Sequence, residues 1–281
     1  MTDRSILAGL TRRGPLRVPE ITVYFWVIKA LSTAMGESTS DYMVHRFNPF
    51  LAVGMGFVGF LVALALQLSM RRYVAWTYWL AVVMVGVFGT MAADALHVGA
   101  GVPYPVSTAL YAVGLGTVFL IWARTERTLS IHSVDTLRRE AFYWAAVVAT
   151  FAMGTALGDL TAYTFHLGYL DSGLLFAGVI AVPAIGYRFL GWNPIFSFWF
   201  AYVATRPLGA SFADWMGKPR AVSGLGWGDA PVALVLTLAI FVLVAVLATT
   251  RLDVQKRTTA RGHGPVPAYS VVQESPPEVL E

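Results

Sequence analysis

Four times along the 281-residue chain, an aromatic residue and a tryptophan are followed after nine residues by glycine and after four more by aspartate. The copies are Phe25-Trp26 with Gly36 and Asp41, Tyr78-Trp79 with Gly89 and Asp94, Tyr143-Trp144 with Gly154 and Asp159, and Phe198-Trp199 with Gly209 and Asp214. They start 53, 65 and 55 residues apart. A four-point pattern recurring at a long, nearly fixed period predicts a fold assembled from one repeated unit.

Each copy lies in an apolar run of spanning length, and a second, plainer apolar run follows it. The eight runs cover about 20–44, 49–70, 74–97, 104–123, 140–166, 171–190, 193–216 and 229–250. Hydrophobic residues make up 57% of the chain and charged residues only 13%. A soluble domain carries about 25% charged residues. The expected fold is therefore all-α, a polytopic bundle of eight transmembrane helices in four tandem two-helix repeats. The repeats run over about 20–70, 74–123, 140–190 and 193–250, within a membrane domain spanning 19–250. A segment 1–18 precedes it, and a Pro-rich, acidic-ended tail 251–281, too poor in apolar residues to fold alone, follows. Asn48-Pro49 and Asn193-Pro194 read as helix starts, with Asn as cap and Pro in the first turn.

Fifteen Lys and Arg residues fall in one set of loops and tails, against three (Arg46, Lys218, Arg220) in the other. The positive-inside rule then places both termini in the cytoplasm. Basic residues near the N-terminus precede no short apolar core with a cleavage site, so no removable signal peptide is expected. The net charge of +4 reflects this topology and calls for no nucleic-acid partner. With no cysteine in the chain, disulfides, thiolate metal sites and cysteine nucleophiles are excluded.

Polar chemistry concentrates in the first copy. Lys29, Thr33, Gly36, Glu37, Ser40 and Asp41 share one helical stripe. Charges at membrane depth are costly and face a bundle interior, a partner or a water-filled cavity. Glu37, Asp41 and His45 recur every four residues; Thr90, Asp94 and His97, then Thr155, Asp159 and His166, form looser versions. The seventh helix departs from this pattern. It has Ala210 one turn before Asp214, places Lys218 after it, and contains Thr205-Arg206-Pro207, an arginine at membrane depth beside a helix breaker. Replacing Asp214 is accordingly expected to matter less than replacing Glu37. Aromatic belts at the membrane boundary would explain the tryptophans, and close helix approach the glycines.

This architecture resembles a bacterial family of multi-pass membrane proteins made of four tandem two-helix repeats with a signature tryptophan, matched here by Trp26, Trp79, Trp144 and Trp199. The resemblance covers about 20–250, implies an inner-membrane location, and brings no activity with it.

Function is therefore read from the residues. All four copies have the same orientation, so their aspartates lie at similar depth. Glu37, Asp41, Asp94, Asp159 and Asp214 outnumber Lys29 and Arg206, and such an excess binds cations or holds protons. Carboxylates suit Mg²⁺, Ca²⁺ or Mn²⁺, and imidazoles extend the range to Zn²⁺, Ni²⁺ or Fe²⁺. The leading expectation is a transporter for a divalent metal ion, with export and proton coupling both compatible. The five carboxylates would be its ligands, His45, His97 and His166 would stand at the outer mouth, and Lys29 and Arg206 would balance charge or couple to protons. Proton-coupled transport of a small organic solute, or a structural or sensory module, are the alternatives. No H-E-x-x-H or G-x-S-x-G is present, so no enzyme is expected and no cofactor. The partners expected are the bilayer, the transported species and protons, with an oligomer also compatible.

Overall fold

The computed structural model describes residues 15–255; the segment before it and most of the 251–281 tail lie outside the described residues. Eight long helices and no strands occur among them: α1 (Val23–Arg46), α2 (Pro49–Ser69), α3 (Ala75–Asp94), α4 (Tyr104–Glu126), α5 (Leu137–Asp159), α6 (Gly168–Phe189), α7 (Pro194–Gly217) and α8 (Asp229–Thr250). The helix ends agree with the apolar runs to within three residues, except that α5 stops seven residues before the end of its run. Both Asn-Pro starts are built as their chemistry demands. Asn48 Oδ1 accepts from the backbone N–H of Phe50 and Leu51, Asn193 Oδ1 from Ile195 and Phe196, and proline occupies the first turn. α3 and α5 each continue past their repeat aspartate as a single π-turn, Ala95–Gly99 and Leu160–Thr164.

Six helices (α2, α3, α4, α5, α6 and α8) are long and apolar enough to cross a membrane. α1 and α7 are the longest of the α-helices, at 24 residues each, but their charged and hydroxyl side chains take them out of that class. Those polar side chains are turned inward. α1, α3, α5 and α7 form a closed ring in that order, α7 packing back on α1. The plainer helices stand outside it: α2 packs mainly on α3, α4 on α5 and α6 on α7, each on the motif helix that follows it in the chain, while α8, the last, packs on α1. Their outer faces expose large apolar side chains such as Phe50, Val58, Val113, Val182, Leu234 and Val235. Apolar side chains at such density on the outside are suited to lipid.

The ring closes with cyclic regularity. Each first-position aromatic packs on the tryptophan of the next copy: Phe25 on Trp79, Tyr78 on Trp144, Tyr143 on Trp199 and Phe198 on Trp26, with ring centroids 5.5–6.0 Å apart. Pairs of this kind contribute about 0.5–1.5 kcal/mol each beyond burial. Trp79, Trp144 and Trp199 are consequently buried between helices, which corrects the aromatic-belt reading for them. The indole N–H of Trp199 donates to Leu129 O, in the linker between α4 and α5.

The glycines follow the same order. A Cβ on Gly36 would meet the backbone of Gly86, on Gly89 the side chain of Phe151, on Gly154 the stem of Arg206, and on Gly209 Thr33. Every partner stands three residues before the next copy's glycine. Between helices in lipid there is no hydrophobic driving force, so close approach and packing supply the association.

At one end of the bundle, the described chain ends pack together. Glu20 N donates to Asp253 O, Gln255 Nε2 to Pro19 O, and the hydroxyl of Tyr73 to the Asp253 carboxylate. Burial raises the Asp253 carboxyl above its usual range. Residues 251–255, the first of the tail, are thus docked on the bundle. Arg17 donates to buried Glu140 at 2.6 Å, and Gln67 donates to the same carboxylate at 2.8 Å. The repeat aspartates lie at the opposite end.

Candidate functional site

Helical period and the ring together stack the motif helices in layers, one residue from each helix every fourth position. Phe25, Tyr78, Tyr143 and Phe198 form the first layer, in which the Tyr78 and Tyr143 hydroxyls hydrogen-bond. Lys29, Val82, Val147 and Tyr202 form the second; Thr33, Gly86, Phe151 and Arg206 the third; Glu37, Thr90, Thr155 and Ala210 the fourth. All sixteen of these residues are buried. Asp41, Asp94, Asp159 and Asp214 make the fifth layer, with Asp214 buried and the other three half-buried.

Arg206 is the centre of the stack, fully buried. Its Nη2 donates to Glu37 Oε2 at 2.7 Å, to Thr155 Oγ1 at 2.8 Å and to Thr90 Oγ1. One guanidinium thus engages the fourth-layer polar group of all three other motif helices. This explains the departure at Ala210. Arg206 stands one turn away on the same helix and reaches up to that level, so a small side chain there leaves it room. Gly154 on α5 gives the arginine stem its space. A buried guanidinium is tolerated only when paired and hydrogen-bonded, and this one has both.

Above it, Glu37, Asp41 and Asp214 each offer a carboxylate oxygen, and the three oxygens lie within 4.8 Å of one another. Lys218, immediately beyond α7, closes this group: its Nζ donates to Asp41 Oδ2 and lies 3.8 Å from Asp214 Oδ1. Partial burial works against its charge, but Asp41 and Asp214 prevail and hold the Lys218 ammonium above the ordinary lysine range. Its backbone is fixed by a return of the chain, in which Leu225 N, Gly226 N and Gly228 N donate to Trp215 O, Lys218 O and Gly217 O. Gly228, at φ +87°, permits that return before α8.

Of the residues singled out in the sequence, Glu37, Asp41 and Asp214 meet, with Arg206 directly beneath. Asp94 and Asp159 sit in the same layer, within electrostatic range of each other and of Glu37 and Asp41, but outside the three-carboxylate group. The histidines are elsewhere. His45 is exposed and its Nδ1 bonds to Asp41 O at 2.7 Å. His97 stacks on Tyr104, with centroids 3.3 Å apart. His166 is exposed in a left-handed turn at φ 55°. None joins the carboxylate group. Lys29 is buried, its Nζ 3.8 Å from the ring centroid of Tyr202 and 4.8 Å from that of Phe151. Lys218, a loop cation by sequence, joins the group instead. The signal was its i, i+4 spacing from Asp214.

Apolar helices on the outside and a charged, hydrogen-bonded axis inside define the chain as a membrane-embedded helical protein. A family model described as Repeat of Unknown Function (DUF347) matches residues 77–128, 142–190 and 197–253, together more than half of the chain. The protein belongs to this family. Each matched segment begins in a motif helix and runs through the plainer helix after it, the unit marked by the aromatic-Trp pattern. No curated protein and no solved structure matches the chain.

Proposed function

We propose that this protein is a transporter of a divalent metal cation, which it takes up between Glu37, Asp41 and Asp214. What carries the reading is the convergence of three carboxylate oxygens from two helices within 4.8 Å, at the end of an otherwise packed axis. Oxygen ligands at that separation suit Mg²⁺, Mn²⁺ or Ca²⁺. Lys218 and Arg206 hold the carboxylates' charge in the arrangement described, so the cargo exchanges places with the Lys218 ammonium. Arg206 and the aromatic layers below it form the closed side of the path.

On this reading, α1 and α7 span the membrane with the other six, residues 20–70 are a fourth, more polar copy of the repeat, and both termini face the cytoplasm of a bacterial cell. The chain has no enzymatic activity.

The test is transport by purified protein in liposomes loaded with a metal-sensitive dye. Mn²⁺ should enter with the wild-type protein and not with Glu37→Gln, which keeps the shape and removes the charge. Equal rates in the two would refute the reading. Uptake of an organic anion driven by a proton gradient, without metal movement, would favour the solute-transporter alternative.

A further inference from the structure

Around the ring, α4 packs on α5 and α6 on α7, but these two plainer helices form no seam with each other. Between them lies a groove of about 850 Å³. Its floor is where α5 and α7 meet, at Leu157 and Val203, and its walls are Phe119 of α4 and Phe176 of α6. At the end of the bundle where the chain ends pack, Arg127 and Thr128 form its rim. Arg127 follows α4 at φ 56°, a left-handed position that glycine fills more easily. Its guanidinium is exposed and makes no hydrogen bond or ion pair among the described residues. Glu126, beside it in the chain, is occupied by Arg138 and Arg139. Thr128 Oγ1 accepts from Ser130 N at 3.1 Å and keeps its own proton to donate. A guanidinium holds its charge at any physiological pH, so this rim is permanently cationic.

The next groove around the bundle lies across α7, between α1 and α6. Its lining is similarly apolar, but Glu20 and His132 stand at its rim and no Lys or Arg does. The two grooves therefore differ in the charge at the mouth. An apolar trough with a fixed cation at its mouth suits an amphiphile of opposite charge. We infer that the α4–α6 groove binds an anionic phospholipid, its phosphodiester against Arg127 and the Thr128 hydroxyl and an acyl chain along Phe119, Val203 and Phe176. The planar fork of arginine matches phosphate oxygens, and a charge-assisted hydrogen bond of this kind is among the strong ones. Glu20 repels the same headgroup from the neighbouring groove. The inference rests on the membrane location of the chain and not on the transport reading.

Native mass spectrometry of the full chain in mild detergent tests it, with phosphatidylglycerol and phosphatidylcholine of identical acyl chains added at equal concentration. The wild type should bind one phosphatidylglycerol about tenfold more tightly than phosphatidylcholine, whose phosphate is offset by its own ammonium. Arg127→Gln removes the charge and should bring the two lipids level. Arg127→Gly, which also eases the left-handed backbone, should do the same in a chain at least as stable. Arg72→Gln takes an equal charge from the α2–α3 loop at the same end and should keep the preference. Equal binding of the two lipids to the wild type overturns the proposal, as does a preference that survives in Arg127→Gln or falls equally in Arg72→Gln. A dimer that carries no lipid would also overturn it, by giving the groove to a second copy of the chain.

Discussion

The ring has two halves that share a scaffold and differ in chemistry. On α3 and α5, the second to fourth layers carry Val82 and Val147, Gly86 and Phe151, and Thr90 and Thr155. On α1 and α7, the same positions carry Lys29 and Tyr202, Thr33 and Arg206, and Glu37 and Ala210. Residues at the helix seams, the aromatic-Trp pairs and the glycines, obey one cyclic rule in both halves. Residues facing the axis do not. The contacts that close the ring fix what each copy must keep, while the axial positions are free to specialise because each meets different partners. α3 and α5 pass from aspartate into a π-turn, whereas α7 ends by returning Lys218 to Asp41 and Asp214. Ion pairs on the axis accordingly lie between α1 and α7 with its C-terminal extension, or within α7 and that extension.

Breaking the charged half should cost most. Arg206→Met strands Glu37 in the interior, and losing one partner of a buried pair costs about 3–5 kcal/mol. Unfolding in mixed detergent should show it, and the double variant with Glu37→Gln should recover much of the loss. Next comes the seam common to both halves. Gly209→Ala drives a methyl into Thr33 and should cost about 1–3 kcal/mol, whereas Gly114→Ala on α4, where a Cβ meets nothing, should leave stability unchanged. A smaller effect separates the two hydroxyl partners. Thr90→Val or Thr155→Val removes a single acceptor from Arg206, at about 1–2 kcal/mol each by the same assay.

Lys218 gives a pH signature. Its folded pKa is raised, so its stabilisation is complete below the unfolded value of about 10.4 and is lost only as pH rises through the folded value. Wild type should therefore exceed Lys218→Gln in stability by a constant amount from pH 7 to 9, and a gap that closes within that window would contradict the ion pair.

Much of this was legible in the chain. Helix number, caps, the repeating unit and the inward turn of the Lys29–Asp41 stripe all follow from local periodicity, which sequence carries directly. Partners across the ring do not. That Thr90, Thr155 and Glu37 meet one arginine depends on the order in which helices close, and no spacing within a helix encodes it. Ala210 illustrates the difficulty: in sequence it marks a weakened copy, and in space it is the room Arg206 needs. Asp214, expected to matter less than Glu37, stands with Glu37 and Asp41 in the three-carboxylate group. The histidines follow the aspartates in sequence, yet none stands in the three-carboxylate group: His97 stacks on Tyr104 and His166 lies in a left-handed turn.

On the proposed metal-binding reading, the cation is held by the α1–α7 half although all four helices carry the aspartate. Calorimetric titration of Mn²⁺ into purified protein and single Asp→Asn variants tests it most directly. One site is expected in the wild type, weakened at least about tenfold, equivalent to about 1.4 kcal/mol, by Asp41→Asn or Asp214→Asn and little changed by Asp94→Asn or Asp159→Asn. Equal losses from all four variants, or no binding to the wild type, would contradict it.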